Sequence, residues 1–135
     1  MGFVVEEWRK WLEDAKYDLE TAKESLKLGR YNWACFQAQQ AAEKALKAVL
    51  IKHGKVGILT HSIRDLIREC SKYIEDLIEL QGESLFLDAV YVASRYPNGI
   101  VSDLPPSKYF SKEDAELCIR LSESILKRVM KYLEK

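Results

Sequence analysis

Apolar side chains recur along this chain at alternating spacings of three and four, the rhythm of helices that bury one face. Trp8, Leu12, Ala15, Leu19, Ala22 and Leu26 keep it and predict a first helix from Val5 to Leu28. Gly29 follows the last apolar position and suits a left-handed cap, having no Cβ to clash. Only Arg30 and Tyr31 separate it from a second helix over Asn32 to Lys52, a link that favours an antiparallel hairpin. That helix stops near His53-Gly54, and a loop carrying Gly54 and Gly57 runs to Thr60. A third helix over Ser62 to Tyr73 turns Ile63, Leu66, Ile67 and Cys70 inward, and after an acidic stretch and Gly82 a fourth spans Glu83 to Ser94. Between Arg95 and Phe110, Pro97, Asn98, Gly99, Pro105 and Pro106 exclude a long regular element. Ser111-Lys112-Glu113-Asp114 then reads as a capping box with Asp in place of Glu. It opens a last helix to Leu133, in which Ala115, Cys118, Ser122, Ile125 and Val129 again alternate. No two-residue period marks a strand. The expected fold is all-α, an antiparallel up-and-down bundle of about five helices forming one domain over residues 1–135.

The second helix is double-sided. Steps of 100° put Ala34, Ala38, Ala42, Ala45 and Val49, flanked by Cys35 and Leu46, on a side that a neighbouring helix can approach closely. Opposite lie Trp33, Phe36 and Ile51 with Gln37, Gln40, Lys44 and Lys47. Two arrangements account for this second side. Either the helix sits in the middle of the bundle and lysine stems cover apolar surface, or the side is a dimer face or an anion-facing groove in which Lys44 and Lys47 meet a phosphate or a partner's acids.

Composition narrows the classes. Apolar residues make up 47% of the chain and charged residues 31%, a globular mixture. No apolar run reaches the roughly 18 residues that a membrane helix needs. The first residues lack the basic and apolar regions of a secretory signal, so a cytoplasmic protein is expected. Cys35, Cys70 and Cys118 are odd in number and fall on inward faces, as small core residues rather than disulfides or zinc ligands. Lys and Arg total 21 against 21 Asp and Glu, so no global field attracts nucleic acid. The distribution is uneven: residues 31–72 hold seven basic and three acidic groups, whereas 73–103 hold six acids and one base, Arg95.

That lone arginine is the centre of the candidate chemistry. Asp88, Tyr91 and Arg95 recur at three and four residues and form one polar stripe leading to Tyr96, Pro97 and Asn98. A guanidinium donates two parallel hydrogen bonds to a phosphate or carboxylate. Arg95 is therefore either a nucleotide or RNA contact, or a structural pin that satisfies the last helical carbonyls while Asp88, Asp103 or Tyr91 holds it. His61, directly before the third helix, has a local packing role or a site role. His53 and His61 lack partners at metal-ligand spacing, so neither a metal nor a cofactor is expected. Gly54-Lys55-Val56-Gly57 lacks the Lys-Ser/Thr ending of a phosphate loop and reads as a connector.

These residues resemble the HEPN family. Trp11, Ala15, Asp18, Leu19 and Ala22 carry the likeness on the first helix, followed by the run from Tyr31 to Ala48 with its Gln39-Gln40-Ala41-Ala42-Glu43-Lys44-Ala45-Leu46-Lys47-Ala48 string. His61 with Ile63 and Leu66, then Tyr91 with Ser94-Arg95-Tyr96-Pro97, complete it. The resemblance implies an antiparallel bundle, a two-fold homodimer and, in many members, a metal-independent ribonuclease toxin paired with a minimal nucleotidyltransferase. Those nucleases carry Arg, a polar residue, several further positions and then His. Here four to six intervening residues after Arg95 lead to Ile100, Val101 and Ser102, and Tyr96 takes the polar position. The expectation is thus a non-catalytic member that binds a nucleotide or RNA phosphate, or partners the nucleotidyltransferase. Arg95, Tyr96, Tyr91, Asp88, His61, Gln40, Lys44 and Lys47 are the candidate ligand-binding residues. A ribonuclease using Arg95 with His61 or a tyrosine, and a purely structural dimer module, are the alternatives.

Overall fold

A computed structural model describes residues 7–135. Helix α1 spans Glu7–Lys27 and α2 spans Tyr31–Lys52, joined by Gly29 at φ 74°, the left-handed geometry expected of a glycine cap. The predicted start of α1 at Val5 lies outside the described residues. Helix α3 covers Ile63–Cys70, α4 Leu85–Ala93, α5 the single turn Pro106–Tyr109, and α6 Lys112–Leu133. Two 3₁₀ turns, Glu75–Leu80 and Pro97–Gly99, complete the order, and no strand occurs among the described residues. The all-α bundle stands as expected. The additions are the short turns, which occupy the acidic stretch and the proline-rich loop where sequence periodicity is weakest.

Helix α2 runs through the middle, packed on α1 and α6 and flanked by α3 and α4. Ala15 and Ala22 of α1 and Ala34, Ala38, Ala42 and Ala45 of α2 are wholly buried, because only methyl-sized side chains let two helices approach this closely. Larger residues, Leu46, Ile63, Leu66, Ile125 and Leu126, fill the space around that seam. Cys35, Cys70 and Cys118 are free thiols within the core, as expected. Burial and the Glu69 charge push the Cys70 thiol up to about 12, so it is not a thiolate nucleophile.

Helix starts are fixed locally. At α6, Ser111 Oγ accepts from the Asp114 amide at 3.1 Å and Asp114 Oδ2 accepts from the Ser111 amide at 2.9 Å, completing the predicted capping box. At α3, Ser62 Oγ accepts from the Asp65 amide at 3.2 Å. One long-range bond joins the hairpin to the fourth helix: the Asn32 side-chain amide donates to the Ser94 carbonyl at 3.0 Å. It ties the first turn of α2 to the last turn of α4, next to Arg95.

Candidate functional site

Arg95 follows the last turn of α4 and folds back over a set of aromatic rings. Its Nε donates to the Tyr91 carbonyl at 3.0 Å, one of the helix-end carbonyls that lack an intrahelical donor. The guanidinium carbon lies 4.3 Å from the centre of the Phe36 ring, 4.7 Å from Tyr91 and 5.1 Å from Tyr96. Cation–π attraction therefore holds the group from several sides. Phe36 comes from α2, and Trp33 packs edge-on against it with ring centres 6.3 Å apart. No carboxylate forms an ion pair with Arg95 among the described residues. The pin and the ligand-ready readings thus divide the side chain: Nε is pinned, while the two terminal nitrogens meet no acid.

Asp88 does not serve Arg95. Its Oδ1 accepts from the Ile63 amide at 2.5 Å, and its Oδ2 accepts from the Arg64 amide and Ser62 Oγ, both at 3.2 Å. The carboxylate caps α3, whose first N–H groups have no helical partner and carry the positive end of the helix dipole. Sharing a sequence stripe with Arg95 is not enough to join them, because α3 ends its approach on Asp88 first.

His61 sits on the same aromatic platform. Its ring stacks on Tyr91 at 4.8 Å and 18°, and its Nδ1 lies 3.0 Å from Glu43 Oε2. Glu43 is buried in α2 and also accepts from Lys47 Nζ at 2.9 Å and from Gln39 Nε2 at 3.1 Å. Gln40 donates to Gln39 Oε1 at 2.7 Å and so belongs to the edge of this network. Lys47 is buried against Glu43 and offers no free charge. Lys44 turns the other way, to Asp18 at 2.8 Å and Asp14 at 3.4 Å on α1. Of the eight candidates, Arg95 lies over Tyr91 and Tyr96 and His61 stacks on Tyr91, Gln40 and Lys47 border His61, and Asp88 and Lys44 are committed elsewhere. Gln39 and Glu43 are site residues that sequence reasoning did not single out, and Phe36, expected on the second side of the second helix, joins the site as a ring beneath Arg95.

The loop beyond Arg95 returns onto α4. A Cβ added at Gly99 would lie 3.0 Å from Ala93 Cα and from the Val92 carbonyl oxygen, and 3.1 Å from the Ala93 amide nitrogen, all backbone atoms unable to yield cheaply. Gly99→Ala is expected to lower stability by about 1–3 kcal/mol, the usual cost of overpacking, and to loosen the Arg95–Pro97 turn. Urea unfolding measures this, and an unchanged midpoint would refute the close approach.

The model of the HEPN domain matches residues 8–133. The chain belongs to the HEPN family. A protein of Methanocaldococcus jannaschii named as a candidate toxin is 31% identical over 140 residues, covering 98% of this chain and 92% of its own. Among solved structures, a protein of Thermus thermophilus is 37% identical with a TM-score of 0.86, covering 93% of this chain and 98% of the other. An archaeal HEPN homologue is 34% identical with a TM-score of 0.74, covering 92% and 95%. A HEPN-domain protein of Thermotoga maritima is 36% identical with a TM-score of 0.72, covering 93% and 98%. In this HEPN chain, Ile100 packs partly against the core and Val101 is fully exposed where the nucleases of the resemblance carry histidine. No described helix is long and apolar enough to cross a membrane.

Proposed function

We propose that this HEPN protein is a non-catalytic phosphate binder. It takes a nucleotide or an RNA phosphate at Arg95 and partners a minimal nucleotidyltransferase in a two-component, toxin–antitoxin-like system. The observation that carries the reading is the state of Arg95: three aromatic rings and a backbone carbonyl hold its guanidinium, and no carboxylate among the described residues neutralises it. A cation fixed in this way has little side-chain entropy left to lose on meeting a phosphate. Tyr96 and Trp33, half-exposed beside it, offer faces on which a base stacks. The same exposed rings, with Val92, support association of two copies through this side of α4. The name of the archaeal relative supports the toxin–antitoxin setting.

The test titrates purified protein with AMP, ATP and a short RNA in chelator, reading calorimetric affinity and RNA integrity together. Wild type is expected to bind without cutting, and Arg95→Ala to bind about 10- to 100-fold more weakly, the worth of a charge-assisted contact. Absence of binding at millimolar ligand would overturn the reading. Cleavage of the RNA would replace it with the ribonuclease alternative, which the placement of His61 on Tyr91 favours. Co-purification with the product of the adjacent gene tests the partner.

A further inference from the structure

A buried carboxylate lies beside this site without any part in holding Arg95. Glu43 accepts hydrogen bonds from Lys47 and Gln39 and meets His61 Nδ1 at 3.0 Å. An ionised carboxylate only accepts, so Nδ1 carries the ring proton and the opposite nitrogen, Nε2, is left to act. Two further contacts fix the residue: Gln39 Nε2 donates to the His61 carbonyl at 3.2 Å, and the imidazole stacks on Tyr91. The His61 side chain is nevertheless 51% exposed, and its Nε2 has no partner among the described residues. Arg95 reaches the same Tyr91 ring, at 4.7 Å against 4.8 Å for the imidazole.

We propose that His61 is the second ligand of the phosphate held by Arg95, with Glu43 the positioning residue that sets its tautomer and aim. The proposal rests on the phosphate-binding reading and narrows it to a ligand class. Glu43 is balanced by Lys47, so a protonated His61 and Arg95 together present two uncompensated positive charges. That pair matches the dianionic phosphate monoester of a nucleoside monophosphate or a 5′-phosphorylated RNA end better than the single charge of an internal diester. The charged and titratable groups around His61 are Glu43 and Lys47 from α2, Tyr91 from α4 and Arg95 just beyond it, with Asp88 of α4 bound to the neighbouring Ser62. A protonated His61 donates from Nε2 to the phosphate, a bond that the neutral Nδ1–H tautomer cannot make.

The experiment measures affinity for AMP, and for a trinucleotide with and without a 5′-phosphate, at intervals between about pH 5 and 8, the range in which imidazoles titrate. Wild type, Arg95→Ala, His61→Gln and the double variant Glu43→Gln with Lys47→Met are compared. The double variant removes both members of the buried pair, so no lone charge is left to unfold the protein, and circular dichroism checks each fold. His61→Gln is expected to weaken AMP binding about 10-fold at the pH where wild type binds tightest and to keep only the pH dependence of the ligand's own phosphate. The double variant is expected to lose about 3- to 10-fold, with a flatter profile. The phosphorylated trinucleotide is expected to bind at least about 10-fold tighter than its dephosphorylated form. If Arg95→Ala abolishes binding while His61→Gln matches wild type at every pH, the second ligand is overturned and the Arg95 reading survives. If Arg95→Ala binds as wild type, both fail. A double variant with wild-type affinity and pH profile removes Glu43 from its positioning role, and equal binding of the two trinucleotides removes the monoester class.

Discussion

Replacing Glu43 with Ala is expected to destabilise the protein by about 3–5 kcal/mol, the usual cost of stranding one member of a buried ion pair. The side chains of Glu43 and Lys47 are 8% and 6% exposed, so water cannot take over when one partner goes. The alanine also strips His61 Nδ1 of its acceptor and Gln39 of one of its two. Replacing both ions with apolar residues of similar size, Glu43→Leu with Lys47→Met, is expected to cost far less, because no unpaired charge remains. Denaturant unfolding of the single and double variants separates these outcomes. A single variant within about 1 kcal/mol of wild type would mean that the pair is hydrated in solution.

The same pair predicts a pH dependence. Burial by itself pushes the Glu43 carboxyl up, but hydrogen bonds from Lys47, His61 and Gln39, with the charge of Lys47, outweigh it and hold the group below its ordinary 4.5. A carboxyl with a folded-state value below its unfolded one contributes stability that is complete above about pH 4.5 and is lost as pH falls through the lower folded value. Acid unfolding of wild type should therefore steepen below that point, and Glu43→Gln should flatten this limb.

Much of the bundle was legible because its signals are local. The spacing of Leu12, Ala15 and Leu19 gives a helix and its inner face whatever packs there, and Ser111 with Asp114 or Gly29 marks an end by its own chemistry. Lys44 and Lys47 show where such reasoning stops. Periodicity places both on the less apolar side of α2, yet one reaches α1 and the other is buried against a carboxylate one turn back. Which helix lies opposite is a property of topology, and the angle between two residues on one helix does not contain it. Glu43 was missed for the same reason: inside a Gln-Gln-Ala-Ala-Glu-Lys string it looks like a surface acid. Its spacing of four from both Gln39 and Lys47 was the available signal for a network.

Asp88→Ala is the second large effect, an expected loss of about 2–3 kcal/mol. Loss of a helix cap alone costs about 1 kcal/mol, and hydrogen bonds to a charged acceptor are worth about 1.5–3 kcal/mol. Asp88 combines the two, accepting from the Ile63 and Arg64 amides and from Ser62 Oγ. Helix α3 has eight residues, too few to persist without packing and caps. Asp88→Asn, which keeps one acceptor oxygen and loses the charge that favours a helix N-terminus, should recover about half of the loss. Hydrogen exchange gives the decisive readout: the Ile63 and Arg64 amides should lose protection in Asp88→Ala while the α1–α2 seam keeps its own. Unchanged protection at those amides would show that Ser62 caps α3 unaided. Because His61 is joined directly to Ser62, fraying of this first turn also frees the imidazole from its place on Tyr91. Asp88→Ala should therefore weaken monoester binding while Arg95 keeps its aromatic seat, an effect on the ligand from a residue that never touches it.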